Sequence, residues 1–299
     1  MNLTIGTGDL WQLALEKWAE ISATNPDFEP ALALQRQILR LLIDARARLE
    51  DSSAPLPDLH PAVVSVKWQR GLPALRGETI PIPPELVALL GPLCDALGGE
   101  SASHIGHALD TNEINGESLL RLSLARNRKA IRTSSLHHGF APDLMWLLGE
   151  LASSPLAHYC QEHGVADSFS AWDRGYCAVC GSWPALIELV NGTRLIRCSY
   201  CAAAWQLSSR RCLYCGTSDD RFVSAAPDID EPGRLVDLCG ACGAYTKVLA
   251  AETAAPFPLI AIEDLASVDL DEGAMSRHYG RPDLIDFDAI DSPVTPGCS

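Results

Sequence analysis

Cys177-Ala-Val-Cys180, Cys198-Ser-Tyr-Cys201, Cys212-Leu-Tyr-Cys215 and Cys239-Gly-Ala-Cys242 are four cysteine pairs, each with a two-residue gap, within 66 residues. Two cysteines at that spacing turn both sulfurs toward one ion in a tight knuckle, and a second pair from a neighbouring hairpin closes a tetrahedral site. Glycine follows the second cysteine at Gly181, Gly216 and Gly243, where it relieves the crowded turn. Between the first two pairs, Ala185-Leu-Ile-Glu-Leu-Val190 and Thr193-Arg-Leu-Ile-Arg197 flank Asn191-Gly192, a strong hairpin signal. Between the last two, Arg221-Phe-Val-Ser-Ala225 and Arg234-Leu-Val-Asp-Leu238 flank a turn holding Asp228, Asp230, Pro232 and Gly233. A unit of knuckle, hairpin and knuckle thus occurs twice, opening on Cys-x-x-Cys-Gly-Ser at 177 and Cys-x-x-Cys-Gly-Thr at 212. This pattern predicts two metal ions, one held by Cys177, Cys180, Cys198 and Cys201, the other by Cys212, Cys215, Cys239 and Cys242. The alternative is a cross-braced arrangement, in which alternate pairs share an ion.

Other thiol chemistries fit less well. Disulfides persist in oxidising compartments. The start, Met-Asn-Leu-Thr-Ile-Gly, has no basic n-region and no apolar h-region, so the expected location is cytoplasmic. Eleven cysteines, an odd number, also disagree with a fully paired disulfide framework. A dithiol oxidoreductase needs one reactive pair at a helix N-terminus in a βαβ setting, and none is visible. Four thiolates in a tetrahedron suit Zn(II), the commoner default, and equally a single rubredoxin-type iron.

Upstream of the cysteines the texture is helical. Asp9 reads as an N-cap ahead of Trp11, Ala14, Leu15, Trp18 and Ile21, and Asn25-Pro26 ends that helix. Leu34, Ile38, Leu41, Leu42, Ala45 and Leu49 form a second stripe. Residues 54–61 and 71–84 read as irregular, and Pro84 starts a helix carrying Leu86, Leu89, Leu90, Leu93 and Leu97. Two more helices are predicted near Glu117–Arg132 and Pro142–Gly164. From Leu259 a short helix is followed by an acidic tail with Asp283, Asp286, Asp288 and Asp291. The expected fold is α+β: an N-terminal α-helical domain over 1–170, two small rubredoxin-like or zinc-ribbon-like four-cysteine metal modules over 171–210 and 211–258, and a short helix with an acidic C-terminal tail over 259–299.

Composition sets the remaining bounds. With 47% hydrophobic and 20% charged residues, the chain of 299 residues is globular. No stretch approaches the roughly 18 apolar residues of a membrane span, so no membrane insertion is expected. The formal charge of −15 opposes phosphate binding. Residues 177–250 carry seven Lys/Arg and seven Asp/Glu, and two loaded clusters would bring that module to about −4. Nucleic acid is therefore not an expected partner. Arg194, Arg197, Arg210 and Arg211 read as a protein-facing or solvated edge, and the run Arg121, Arg126, Arg128, Lys129 and Arg132 as a solvated helix face. Cys94 reads as a small buried hydrophobe, Cys160 with His163 as a pair of ligand-like spacing that is incidental at a helix end, His137-His138 as a helix-end pair, and Cys298 as an exposed spectator. The pattern carries no signal of oligomeric state and no nucleophile–base or paired-carboxylate arrangement.

The strings Tyr176-Cys-Ala-Val-Cys-Gly-Ser-Trp-Pro184, Arg197-Cys-Ser-Tyr-Cys201 with Trp205, Arg211-Cys-Leu-Tyr-Cys-Gly216, and Leu238-Cys-Gly-Ala-Cys-Gly-Ala-Tyr-Thr-Lys247 resemble the FdhE family of formate dehydrogenase accessory proteins. Asp264-Leu-Ala-Ser-Val-Asp-Leu-Asp271 extends the likeness, which over the first half is limited to a helical domain of similar length. Two departures stand at Ala203-Ala204-Trp205-Gln206 and Ala244-Tyr245-Thr246-Lys247, neither at a proposed ligand. The resemblance implies rubredoxin-like modules that bind iron in preference to zinc. It also implies a cytoplasmic, non-enzymatic role in maturing formate dehydrogenase by contact with its molybdenum-containing catalytic subunit. The expected docking surface bears Trp205, Arg210, Arg211 and Tyr245, aromatic and arginine anchors of the kind interfaces favour. An iron–thiolate electron-transfer protein and a zinc-ribbon nucleic-acid or transcription adaptor are the alternatives.

Overall fold

Proline and asparagine punctuate the first half of the chain into nine helices among the described residues, which are 7–57, 59–165, 169, 172–226 and 233–285 of a computed structural model. These are α1 (Thr7–Thr24), α2 (Glu29–Asp51), α3 (Pro61–Gln69), α4 (Pro84–Val87), α5 (Leu90–Leu97), α6 (Gly99–Asp110), α7 (Gly116–Leu124), α8 (Arg128–His138) and α9 (Pro142–Gly164). Proline stands at the start of α3, α4 and α9, where a missing amide costs nothing. Asn115 and Asn127 cap α7 and α8 by accepting from the amides of Ser118 and Ala130.

Several boundaries differ from the sequence reading. Asp9 lies in the first turn of α1 and does not cap it. The helix expected after Pro84 breaks into α4 and α5, and the one expected over Glu117–Arg132 breaks into α7 and α8. Helices α3 and α6 lie where no helix was read. Arg126, expected on a solvated face, is buried in the second break.

Helix α9 is the axis of this layer. Its Leu148, Ala152, Leu156 and Cys160 recur every four residues and are fully buried. The same continuous core runs on through Trp172, Val179, Ile187 and Ile196, so the first knuckle and first hairpin pack directly on the helices. Backbone bonds reinforce that contact: Ala74 N donates to Ala178 O at 2.8 Å and Leu75 N to Val179 O at 2.9 Å. The Trp68 indole also donates to Ala178 O, at 3.0 Å.

Six strands follow among the described residues: β1 (Pro184–Val190), β2 (Thr193–Cys198), β3 (Ala204–Trp205), β4 (Phe222–Ala225), β5 (Arg234–Cys239) and β6 (Ala244–Ala251). Asn191 and Gly192, at φ +49° and +80°, form the predicted β1–β2 turn. The strands make one sheet in the order β3-β2-β1-β6-β5-β4. The two units join edge to edge through a parallel β1–β6 pair, Ile187 opposite Val248 and Val190 opposite Ala251. Strands β3 and β6 had no hairpin signal of their own.

Helices α10 (Ile260–Ala266) and α11 (Val268–Met275) cover a second, smaller core with Leu186, Val236, Tyr245 and Leu249. Lys247, fully buried, is held there by Asp264 and Asp271, each at 2.7 Å. A buried charge is tolerable only when paired in this way. Asp228, Asp230 and Pro232 of the second turn, Asp286, Asp288 and Asp291 of the tail, and Cys298 lie outside the described residues.

Candidate metal centres

Each unit opens with the same knuckle. Gly181 N donates to Cys177 O and Gly216 N to Cys212 O, both at 3.0 Å, closing the turn around each first pair. Both glycines adopt positive φ, +83° and +80°, which a side chain would strain. In the first unit, Val179 N points at Cys177 Sγ, and Tyr200 N and Cys201 N at Cys198 Sγ, all at 3.4 Å. Such amides favour thiolate over thiol.

The structure brings Cys177, Cys180, Cys198 and Cys201 together, and separately Cys212, Cys215, Cys239 and Cys242, the sulfurs of each set lying within 4.8 Å of one another. Contacts of 3.6 Å (Cys177–Cys201) and 3.4 Å (Cys180–Cys198) mark the first cluster. Those of the second are 3.7 Å (Cys212–Cys242) and 3.6 Å (Cys215–Cys239). A disulfide needs about 2.05 Å. Four sulfurs about 2.3 Å from a central ion stand about 3.8 Å apart, so both sets fit a tetrahedral four-thiolate ion. Two four-cysteine clusters, able to hold two metal ions, are thus present.

Burial separates the clusters. All four cysteines of the first are buried, at most 4% exposed, whereas Cys215 and Cys242 of the second are exposed. In the opening knuckle of each unit a hydroxyl sits beside the second cysteine: Ser182 Oγ is 3.3 Å from Cys180 Sγ, and Thr217 Oγ1 is 3.2 Å from Cys215 Sγ. Burial pushes the Cys215 thiol up, but the Thr217 hydroxyl and amide and the neighbouring thiols outweigh it and bring the thiol down to about 6. Cys180 is likewise held well down, its three partner thiols outweighing burial. The repeated Gly-Ser and Gly-Thr openings were the sequence signal for these hydroxyls.

Aromatic rings connect the two clusters. Tyr176, which precedes Cys177, meets Trp183 at 5.8 Å, and Trp183 meets Tyr214, inside the third cysteine pair, at 4.9 Å. Gly175 lies against Leu213, where an added Cβ would fall 1.7 Å from the carbonyl oxygen, so this approach of the two units requires glycine.

The expected docking anchors change. Trp205 and Tyr245 are buried, at 3% each; the Trp205 indole donates to Arg174 O, and the Tyr245 hydroxyl to Asp271. The arginines are paired. Arg197 is buried against Glu188, Arg194 and Arg210 converge on Asp237, and Arg211 meets Asp173 at 2.8 Å. Of these, Arg210 remains 47% exposed. Cys160 is buried, and His163 pairs with Glu50 at 3.0 Å.

No protein-family model matches the chain. A "Protein FdhE homolog" of Pseudomonas putida is 29% identical over 67% of this chain and 64% of its own length. Another, of Stutzerimonas stutzeri, is 24% identical over 93% of this chain and 89% of its own. The chain thus spans just under two thirds of the first relative and most of the second. The crystal structure of the FdhE protein from Pseudomonas aeruginosa superimposes with a TM-score of 0.61 at 21% identity, covering 94% of this chain and 96% of that one. The chain is FdhE-like in sequence and in fold. In this chain the architecture is a helical layer and a sheet carrying two four-cysteine clusters of unequal burial. Among the described residues, no helix of this FdhE-like chain is long and apolar enough to cross a membrane.

Proposed function

We propose that the chain is a cytoplasmic accessory protein that serves the maturation of formate dehydrogenase by binding its molybdenum-containing catalytic subunit. Each four-cysteine cluster holds one metal ion, iron in preference to zinc, through Cys177, Cys180, Cys198 and Cys201 and through Cys212, Cys215, Cys239 and Cys242. The FdhE fold over 94% of the chain is the observation that carries this reading. A closed four-thiolate set leaves no coordination position for a substrate, so the ions order a recognition surface and the chain is not an enzyme.

We take the docking face to be on the second unit; the surface exposure of Cys215 and Cys242 and of Arg210 supports this reading. The test is recovery of a formate dehydrogenase catalytic subunit with the tagged protein from its host. Arg210→Ala with Arg211→Ala should lower recovery while leaving metal content intact. Equal recovery moves the interface elsewhere, and no recovery with the unaltered protein overturns the function.

The exposed second cluster and the Tyr176–Trp183–Tyr214 ring contacts favour one second reading, electron transfer through iron–thiolate centres. Reversible bleaching of an iron–thiolate absorption band by a reductant would support it.

A further inference from the structure

Arg126 stands where the chain turns from α7 into α8. Its amide donates to Ser123 O and the Asn127 amide to Leu122 O, both at 2.9 Å, the paired bonds of a helix end that places its first outer residue in the left-handed region. Glycine usually fills that position; here arginine does, at φ +55°, a conformation that costs an L-residue about 1 kcal/mol. At Arg126 buried partners hold the side chain in that conformation.

The side chain is 4% exposed. Its guanidinium lies 4.4 Å from the Tyr200 ring and 4.6 Å from the Trp146 ring, and Nη2 donates to Glu150 Oε1 at 2.5 Å. Nε and Nη1 are buried without a hydrogen-bond partner among the described residues. Tyr200 lies between the ligands Cys198 and Cys201, so its ring is the link from the guanidinium to the second knuckle of the first cluster. A buried cation beside a buried thiolate cluster is thus held in place by rings from both layers.

We infer that Arg126 is the counter-ion of the first metal centre, a positioning residue supplied by the helical layer. The inference rests on the metal reading above. Four thiolates around a divalent ion carry a net −2, and the first cluster has almost no water to screen it. The second cluster is half exposed, so solvent serves it instead.

The test uses the full chain carrying Cys215→Ser and Cys242→Ser, two exposed positions, so that Co2+ reports the first cluster alone through its thiolate absorption. Adding Arg126→Met should weaken Co2+ binding about tenfold or more. Arg126→Lys, which keeps the charge and loses the planar stack, should retain most of the affinity. Equal affinity in the parent and the methionine variant overturns the inference alone, as does a lysine variant as weak as the methionine one, since packing would then be the role. A parent that binds no Co2+ overturns the metal reading and this inference with it. Circular dichroism of the metal-free variants separates loss of fold from loss of affinity.

Discussion

The hydroxyl of Tyr200 lies 2.6 Å from Ser153 Oγ, tying the second knuckle of the first cluster to α9 inside the core. Ser153 also meets Ser123 Oγ at 3.1 Å and donates to Gly149 O, so the contact belongs to a buried network. Tyr200→Phe removes one member and leaves the ring on Arg126. The expected loss is about 1–2 kcal/mol of unfolding free energy, read from urea denaturation of loaded protein, with metal content unchanged. Unchanged stability would mean that the knuckle is not fastened at this point.

Unequal burial should appear as unequal exchange. Water and chelator reach Cys215 and Cys242 directly, whereas the first cluster opens only when the core does. Metal release to an excess of chelator should therefore be biphasic, with one ion per chain in each phase. Cys215→Ser should abolish the fast phase and spare the slow one. A single phase of two ions would contradict the assignment.

Ala202 occupies the left-handed position after Cys201 at φ +57°, where the other three knuckles place Gly181, Gly216 and Gly243. Ala202→Gly should raise stability by about 0.5–1 kcal/mol, because glycine adopts that conformation without strain. Thermal unfolding of the two forms checks it.

His158 provides a pH dependence. Burial first, then the charges of Arg46, Arg197 and His163, hold it well below its ordinary value of 6.5, and its Nδ1 accepts from Arg46 Nε at 3.1 Å. Glu162, 3.4 Å away, is the acid beside it. Above 6.5 the ring is neutral in both folded and unfolded chains and adds no dependence. Below 6.5 the unfolded chain binds the proton more readily, so stability falls with pH by up to about 1.4 kcal/mol per unit. His158→Gln should remove that contribution from the stability profile between pH 6.5 and 5. An identical profile would show that the ring does not titrate as described.

The reach of the sequence follows from how local each signal is. The knuckles, the Asn191-Gly192 hairpin and helix α9 were legible because spacing, turn residues and periodicity act over a few neighbours. The α7–α8 break was not, since Arg126 stands where a glycine would have announced it, and only its contacts with Tyr200 and Trp146 explain the exception. The β1–β6 pairing joins residues about sixty apart, and nothing local to either strand specifies it. Trp205 and Tyr245 look like surface anchors in one dimension because both sit beside knuckles, yet Arg174 O and Asp271 satisfy their polar ends inside the fold. Unequal burial of identical motifs likewise depends on which unit the helices cover.

Elemental analysis of anaerobically purified protein tests the central claim most directly. Two ions per chain, iron with its coloured thiolate band, are predicted, falling to one in Cys180→Ser and to one in Cys215→Ser. A single ion in the unaltered protein, or none, would contradict two independent four-thiolate centres.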